Sequence, residues 1–224
     1  AGTLSTSSAS AAAVVVRNAG NALLGDISAS SGTVVLGQAG DMITGTVTQA
    51  LATSVLAGVL TAETGGAIVL NRDNGVVSLG TVRRGGAFTL NNSPGGLTVT
   101  GPVTGGTITN DVTISAAGNL TVSGPVSTSG AGTTLSLSGQ SVALGANLSA
   151  GGGTVRLHAS ADGISQTAGA ITAGGLAVTG VGSGVNPFSL NQAGNHAAVF
   201  AAAVTGGDLS YTDAGAVSLG TVWG

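Results

Sequence analysis

Apolar and polar residues alternate with period 2 in short stretches along the whole chain. Leu97-Thr-Val99, Leu120-Thr-Val122, Leu135-Ser-Leu137, Val155-Arg-Leu157 and Val77-Ser-Leu79 place an apolar side chain at every second position, with Thr, Ser or Arg between. A strand sends successive side chains to opposite faces, so this pattern predicts short, half-buried strands. Leu97, Val99, Leu120, Val122, Leu135, Leu137, Val155, Leu157, Leu176 and Val178 are the predicted core, and Thr98, Thr121, Ser136 and Arg156 are predicted to face outward. Helical spacing of 3, 4 and 7 is not sustained. The segments 9–13, 49–57 and 197–203 are the only helix candidates, and their patterning is poor.

The strands recur. Gly32-Thr-Val-Val-Leu36, Gly66-Ala-Ile-Val-Leu70, Gly86-Ala-Phe-Thr-Leu90, Gly96-Leu-Thr-Val-Thr100 and Gly153-Thr-Val-Arg-Leu157 each open on glycine, and Gly66, Gly86 and Gly106 are 20 apart. Gly75-Val-Val-Ser-Leu-Gly-Thr-Val82 returns as Gly215-Ala-Val-Ser-Leu-Gly-Thr-Val222 at an offset of 140, with Asp73 matching Asp213. Gly32-Thr33-Val34 returns as Gly153-Thr154-Val155 at an offset of 121, with Asp41 matching Asp162. The offsets differ by 140 − 121 = 19, about one unit, as when a whole coil is inserted or lost. This predicts an all-β, right-handed parallel β-helix (β-solenoid) of roughly 20 residues per coil and about 11 coils, a rod on the order of 50 Å long. Glycine is expected at the corners, where it takes positive φ at little cost. Residues 1–224 read as a single β-solenoid segment, a fragment of a longer repeat protein.

Composition narrows the class. Gly fills 41 of 224 positions, charged residues are 6% and aromatics 2%. A mean hydropathy of +0.51 excludes ordinary disorder, and four prolines with irregular glycines exclude collagen. No apolar run approaches the roughly 18 residues of a membrane span, and five aromatics cannot form the girdles of a membrane barrel. A narrow interior of stacked coils suits Val, Leu and Ile better than large rings. The basic residues are Arg17, Arg72, Arg83, Arg84 and Arg156, too few for a nucleic-acid footprint, and without cysteine there are no disulfides or thiolate metal sites. The first residues lack Met and a basic region, so no signal peptide is read there, and the chain stops inside its repeat pattern.

The phrases Asp162-Gly-Ile-Ser-Gln-Thr-Ala-Gly-Ala-Ile-Thr-Ala173, Phe188-Ser-Leu-Asn-Gln-Ala-Gly-Asn195, Asp208-Leu-Ser-Tyr-Thr-Asp213 and Val217-Ser-Leu-Gly-Thr-Val222 resemble the repeat region of bacterial exoproteins similar to filamentous haemagglutinin. The resemblance is clearest over 150–222 and has the same style over 32–150. It implies a two-partner-secretion substrate or autotransporter passenger, folded as a right-handed parallel β-helix on the cell surface. The implied partners are an outer-membrane secretion partner and receptors or glycans of host or neighbouring cells. It implies no catalytic residue and no cofactor. The family's Asn-Pro-Asn-Gly-like secretion turn has no counterpart, since Asn186-Pro187 lacks that context.

Parallel β-helices also carry polysaccharide lyases and hydrolases, which work with clustered carboxylates. The carboxylates here are Asp26, Asp41, Glu63, Asp73, Asp111, Asp162, Asp208 and Asp213, and those that recur lie in or beside turns, where Asp bonds its own backbone. Asp208 and Asp213 come nearest to a pair, but their odd spacing sends them to opposite faces. His158 is in phase with outward Arg156, and His196 follows Ala193-Gly-Asn195 in a predicted turn. Gly206-Gly207-Asp208 does not complete the nonapeptide calcium repeat, and Gly180-Val-Gly-Ser-Gly184 misses the nucleotide-binding patterns. Arg72, Arg83 and Arg84 could form a small basic spot, but a turn beside a solvated face is the simpler reading.

Thr46-Val-Thr48, Thr98-Val-Thr100 and Thr107-Ile-Thr109 resemble threonine arrays of ice-binding solenoids, but Ser, Arg and Asn interrupt them and β-propensity accounts for exposed Thr. No catalytic, cofactor-binding or metal residue is therefore predicted. The expected function is that of a non-enzymatic, surface-displayed structural or adhesive rod that associates end to end. A carbohydrate-active β-helix enzyme is the rival, and an ice-binding solenoid stands behind it. Long loops could build an enzyme's cleft only near 49–57 and 180–186, where the spacing slips.

Overall fold

The structure, a computed structural model, describes residues 3–105 and 110–222. The Thr107-Ile-Thr109 triplet and Gly106 lie outside the described residues. Every regular element described is a strand, and the strands pair in parallel. The chain winds as a β-solenoid of about 10 turns, with strands roughly 22 residues apart. One turn carries Leu97–Val99, Val103–Gly105 and Val112–Ala116, and the next carries Leu120–Val122, Val126–Ser127 and Thr134–Gly139. Leu97 faces Leu120, Val103 faces Val126 and Val112 faces Leu135, each a step of 23. Elsewhere the step varies, from 18 between Asn74 and Asn92 to 28 between Ile27 and Val55. The coil is thus slightly longer than predicted and the turns slightly fewer, because corners absorb extra residues while rungs keep their spacing.

The core forms where the alternation places it. The ten predicted inward residues are at most 2% exposed. Leu97, Leu120, Val142, Ile164 and Phe188 stack in one column, one residue per coil. Burying each such side chain contributes about 1.5–3 kcal/mol. Thr98, Thr121, Ser136 and Arg156 face outward but are only half-exposed, since the rungs on either side flank them.

Several expectations need correction. Val77 is 65% exposed, while Val76 and Leu79 fill the interior. The strand Ile68–Arg84 loses its alternation between Val76 and Leu79, and the strand Val55–Thr64 paired with it loses it at the same place, between Ala57 and Leu60. The helix candidate 197–203 lies within the strand His196–Thr205, and 49–57 spans a turn between Val47–Gln49 and Val55–Thr64. Residues 9–13 are bend and turn. In each, stacking on a neighbouring coil prevails over alanine's helix propensity. Corner glycines such as Gly37, Gly132 and Gly180 do take positive φ as expected, but Gly86 and Gly153, which open strands, do not. A Cβ at Gly86 would lie 2.5 Å from the Ala67 nitrogen, and one at Gly153 2.3 Å from the Thr133 carbonyl oxygen. Only a residue without a side chain lets adjacent coils approach at these corners.

Polar side chains also enter the interior. Asn74 and Asn195 are 0% exposed. The Asn195 Oδ1 accepts from the Ile171 N–H at 2.9 Å, and its amide exchanges two 2.8 Å hydrogen bonds with Gln166. Asn74 repeats this design with Gln49, at 2.7 and 3.2 Å, and with the Val55 N–H at 2.9 Å. Each Asn closes a corner by binding the backbone of the preceding coil, which meets the hydrogen-bonding needs of its own buried amide.

Candidate functional site

Carboxylates and imidazoles are scattered along the rod, and most have a structural task. Asp26 Oδ1 accepts from the Ser54 N–H at 2.9 Å, and Asp111 Oδ1 accepts from the Thr134 N–H at 2.7 Å. Asp41 receives Arg17 at 3.2 Å and Asn18 at 3.1 Å. Glu63 lies 3.7 Å from Arg83. The expectation that turn aspartates bond their own local backbone therefore does not describe these residues: Asp26 and Asp111 hold the next coil, and Asp41 and Glu63 pair with arginines. Among the described residues, no group of three or more His, Asp or Glu side chains converges as metal ligands would. No described helix is long and apolar enough to cross a membrane.

Asp213 is the most constrained carboxylate. Its Oδ2 accepts from the Tyr211 hydroxyl at 2.5 Å and the Ala197 N–H at 2.9 Å, and its Oδ1 accepts from the Gly215 N–H at 2.8 Å. The His196 Nδ1 lies 3.4 Å from Oδ1. Burial alone would raise its pKa, but the bonds from Tyr211, Ala197, Gly215 and His196 prevail and hold it at about 2. Tyr211 is driven the other way by burial, by its bond to Asp213 and by that negative charge. Asp208 is exposed and joins neither residue, so the predicted separation of Asp208 from Asp213 holds. His196 opens a strand instead of lying in a turn, because it pairs with Thr172. His158 is exposed as predicted and shares a 2.9 Å hydrogen bond with Thr179.

The basic spot does not form. Arg84 points inward and is 3% exposed, with its guanidinium bonding the carbonyls of Gly86, Asn110 and Ser127 at 2.5–3.5 Å. Gly105, its partner one coil on, leaves the room it occupies. Burial lowers its pKa, and the charge of Asp111 opposes that shift. A spacing argument could not place an arginine in the core, since only Gly105 on the next coil makes the space.

Two of the surface grooves are lined mainly by polar residues. One, of about 440 Å³, is lined by Thr53, Ser54, Asn71, Arg72 and Asp73. The other, of about 370 Å³, runs along the corner formed by Asn119, Ser141, Asp162 and Pro187 on four successive coils, with Ser165, Ser189, Val185 and Asn186 around it. Its outer wall is the loop 182–187, within the region where the sequence spacing slips. Ser183 and Asn186 exchange 3.0 Å backbone bonds that tighten this loop and leave Val185 86% exposed at its tip. No protein-family model, curated protein or solved structure matches the chain.

Proposed function

We propose that this β-solenoid is a non-enzymatic structural and adhesive rod, displayed by a bacterial cell as part of a secreted exoprotein. The resemblance to filamentous haemagglutinin-like repeats motivates the surface location, the outer-membrane secretion partner and the receptors or glycans of other cells as ligands. One observation carries the reading. Apart from the node of Tyr211, Asp213 and His196, most potential acid and base groups are dispersed into turn caps and ion pairs, while the outer face presents a hydroxyl-rich column. In that column Ser78, Thr98, Thr121, Ala143, Ser165, Ser189 and Ser210 follow one another from coil to coil. Rods of this low charge repel one another little, and end-to-end association belongs to the proposal.

The test uses beads coated with the chain, applied to epithelial and bacterial cell layers beside albumin-coated beads. Adhesion above the albumin control, retained in Asp208→Ala and His158→Ala variants, is expected. Failure to adhere overturns the reading. Depolymerisation of a polysaccharide that disappears in either variant overturns it in favour of the enzyme.

A further inference from the structure

The groove beside the loop 182–187 differs from several other corners of the rod in what its polar side chains do. At several corners, Asn and Asp side chains hold backbone. Asn21 accepts from the Thr46 N–H at 2.8 Å, Asn147 from the Ala170 N–H at 2.8 Å, and Asp26 and Asp111 act in the same way. In the groove, the side-chain amides of Asn119 and Asn186 and the hydroxyls of Ser141 and Ser165 form no hydrogen bond with any described residue. Asp162 uses only Oδ2, which accepts from Gln140 Nε2 at 3.0 Å. Unused donors and acceptors are thus gathered along one corner over three coil steps, about 14 Å. Exposed Val185 and Pro187 add an apolar wall.

From this geometry we infer that the groove is a binding site for a neutral oligosaccharide. Its volume of about 370 Å³ falls within the range of roughly 300–1,000 Å³ usual for small-molecule sites. Amides and hydroxyls both donate and accept, as sugar hydroxyls require, and the carboxylate accepts two bonds per oxygen. The only charge lining the groove is that of Asp162, so a phosphorylated or sulfated ligand meets repulsion and no cation. The tightened loop presents Val185 to the C–H face of a sugar ring. The inference deepens the adhesive reading and rests on it for biological meaning, while the binding itself is separate chemistry.

The test is titration of the ¹⁵N-labelled chain with cellotriose, maltotriose and lactose, and with a heparin disaccharide as the anionic counterpart. The expected result is a saturable shift of the amides of 162–165 and 183–189 with at least one neutral sugar and none with the heparin disaccharide. Asp162→Ala and Asn186→Ala should each weaken that binding about tenfold while the remaining amide spectrum stays in place. Two results overturn the inference: no shift of the groove amides with any neutral sugar, or shifts that survive both substitutions unchanged. Bead adhesion that persists when the groove amides stay silent removes the groove but leaves the adhesive rod. Groove binding without bead adhesion does the reverse.

Discussion

Tyr211 donates its hydroxyl to Asp213 at 2.5 Å while its ring stacks on Phe200, with centroids 4.5 Å apart and planes 4° from parallel. The pair ties the strand Leu209–Tyr211 to His196–Thr205 across the width of a coil. Because Asp213 also binds the Ala197 and Gly215 N–H groups, this node holds together the last coil described.

That node makes the last coil acid-sensitive. Asp213 is held at about 2 against an ordinary 3.8, so its contribution is complete above the unfolded value. It is lost as pH falls from about 4 toward 2. Tyr211, raised above its ordinary 10, favours the fold below that pH, and its contribution is lost as pH rises through its folded value. As it is the only tyrosine, its absorbance near 295 nm reports the node directly. The expected titration lies well above pH 10 in the folded chain and near 10 in urea. Asp213→Asn should bring the folded value down toward 10.

The alternation predicts an asymmetric response to charge. Leu137 is 0% exposed, and Leu137→Asp buries an unpaired carboxylate, which should cost more than about 4 kcal/mol. Ser136→Asp faces outward next to Arg156 on the following coil and should change stability by no more than about 0.5 kcal/mol. Urea denaturation followed by circular dichroism separates the two. Equal losses would contradict the inward and outward assignments.

Removing a corner amide should separate structural from surface asparagines. Asn195→Ala leaves the Ile171 N–H and the Gln166 amide without their partner, at a cost of roughly 3 kcal/mol. Asn119→Ala removes an exposed amide with no internal bond and should cost less than about 0.5 kcal/mol. Denaturation midpoints of the two variants provide the measurement.

Glycine's role at the corners is open to the same kind of comparison. Gly86→Ala forces a methyl against the Ala67 backbone and should cost about 2 kcal/mol or more. At Gly184 a methyl group would meet nothing within 4 Å, so alanine should be neutral or slightly stabilising. A thermal melt in which both variants behave alike would argue against close coil approach as the reason for glycine.

The solenoid and the facing of most strands were legible in the order of residues. A period-2 pattern is local, and each residue such as Leu97 or Thr98 carries its own inward or outward assignment. The steps of 18 to 28 residues, by contrast, depend on how much chain each corner absorbs. Which members of similar motifs act alike became visible only once the coils were stacked. Leu79 is buried and its repeat counterpart Leu219 is 83% exposed, although their flanking residues nearly match. Asp73 is exposed, while its counterpart Asp213 is enclosed by four donors. Asn195 is interior, whereas Asn119 and Asn186 line an open groove. The reason is physical: in stacked coils a corner residue's surroundings come from neighbours roughly 20 positions away, and only the register of the coils decides which neighbours those are.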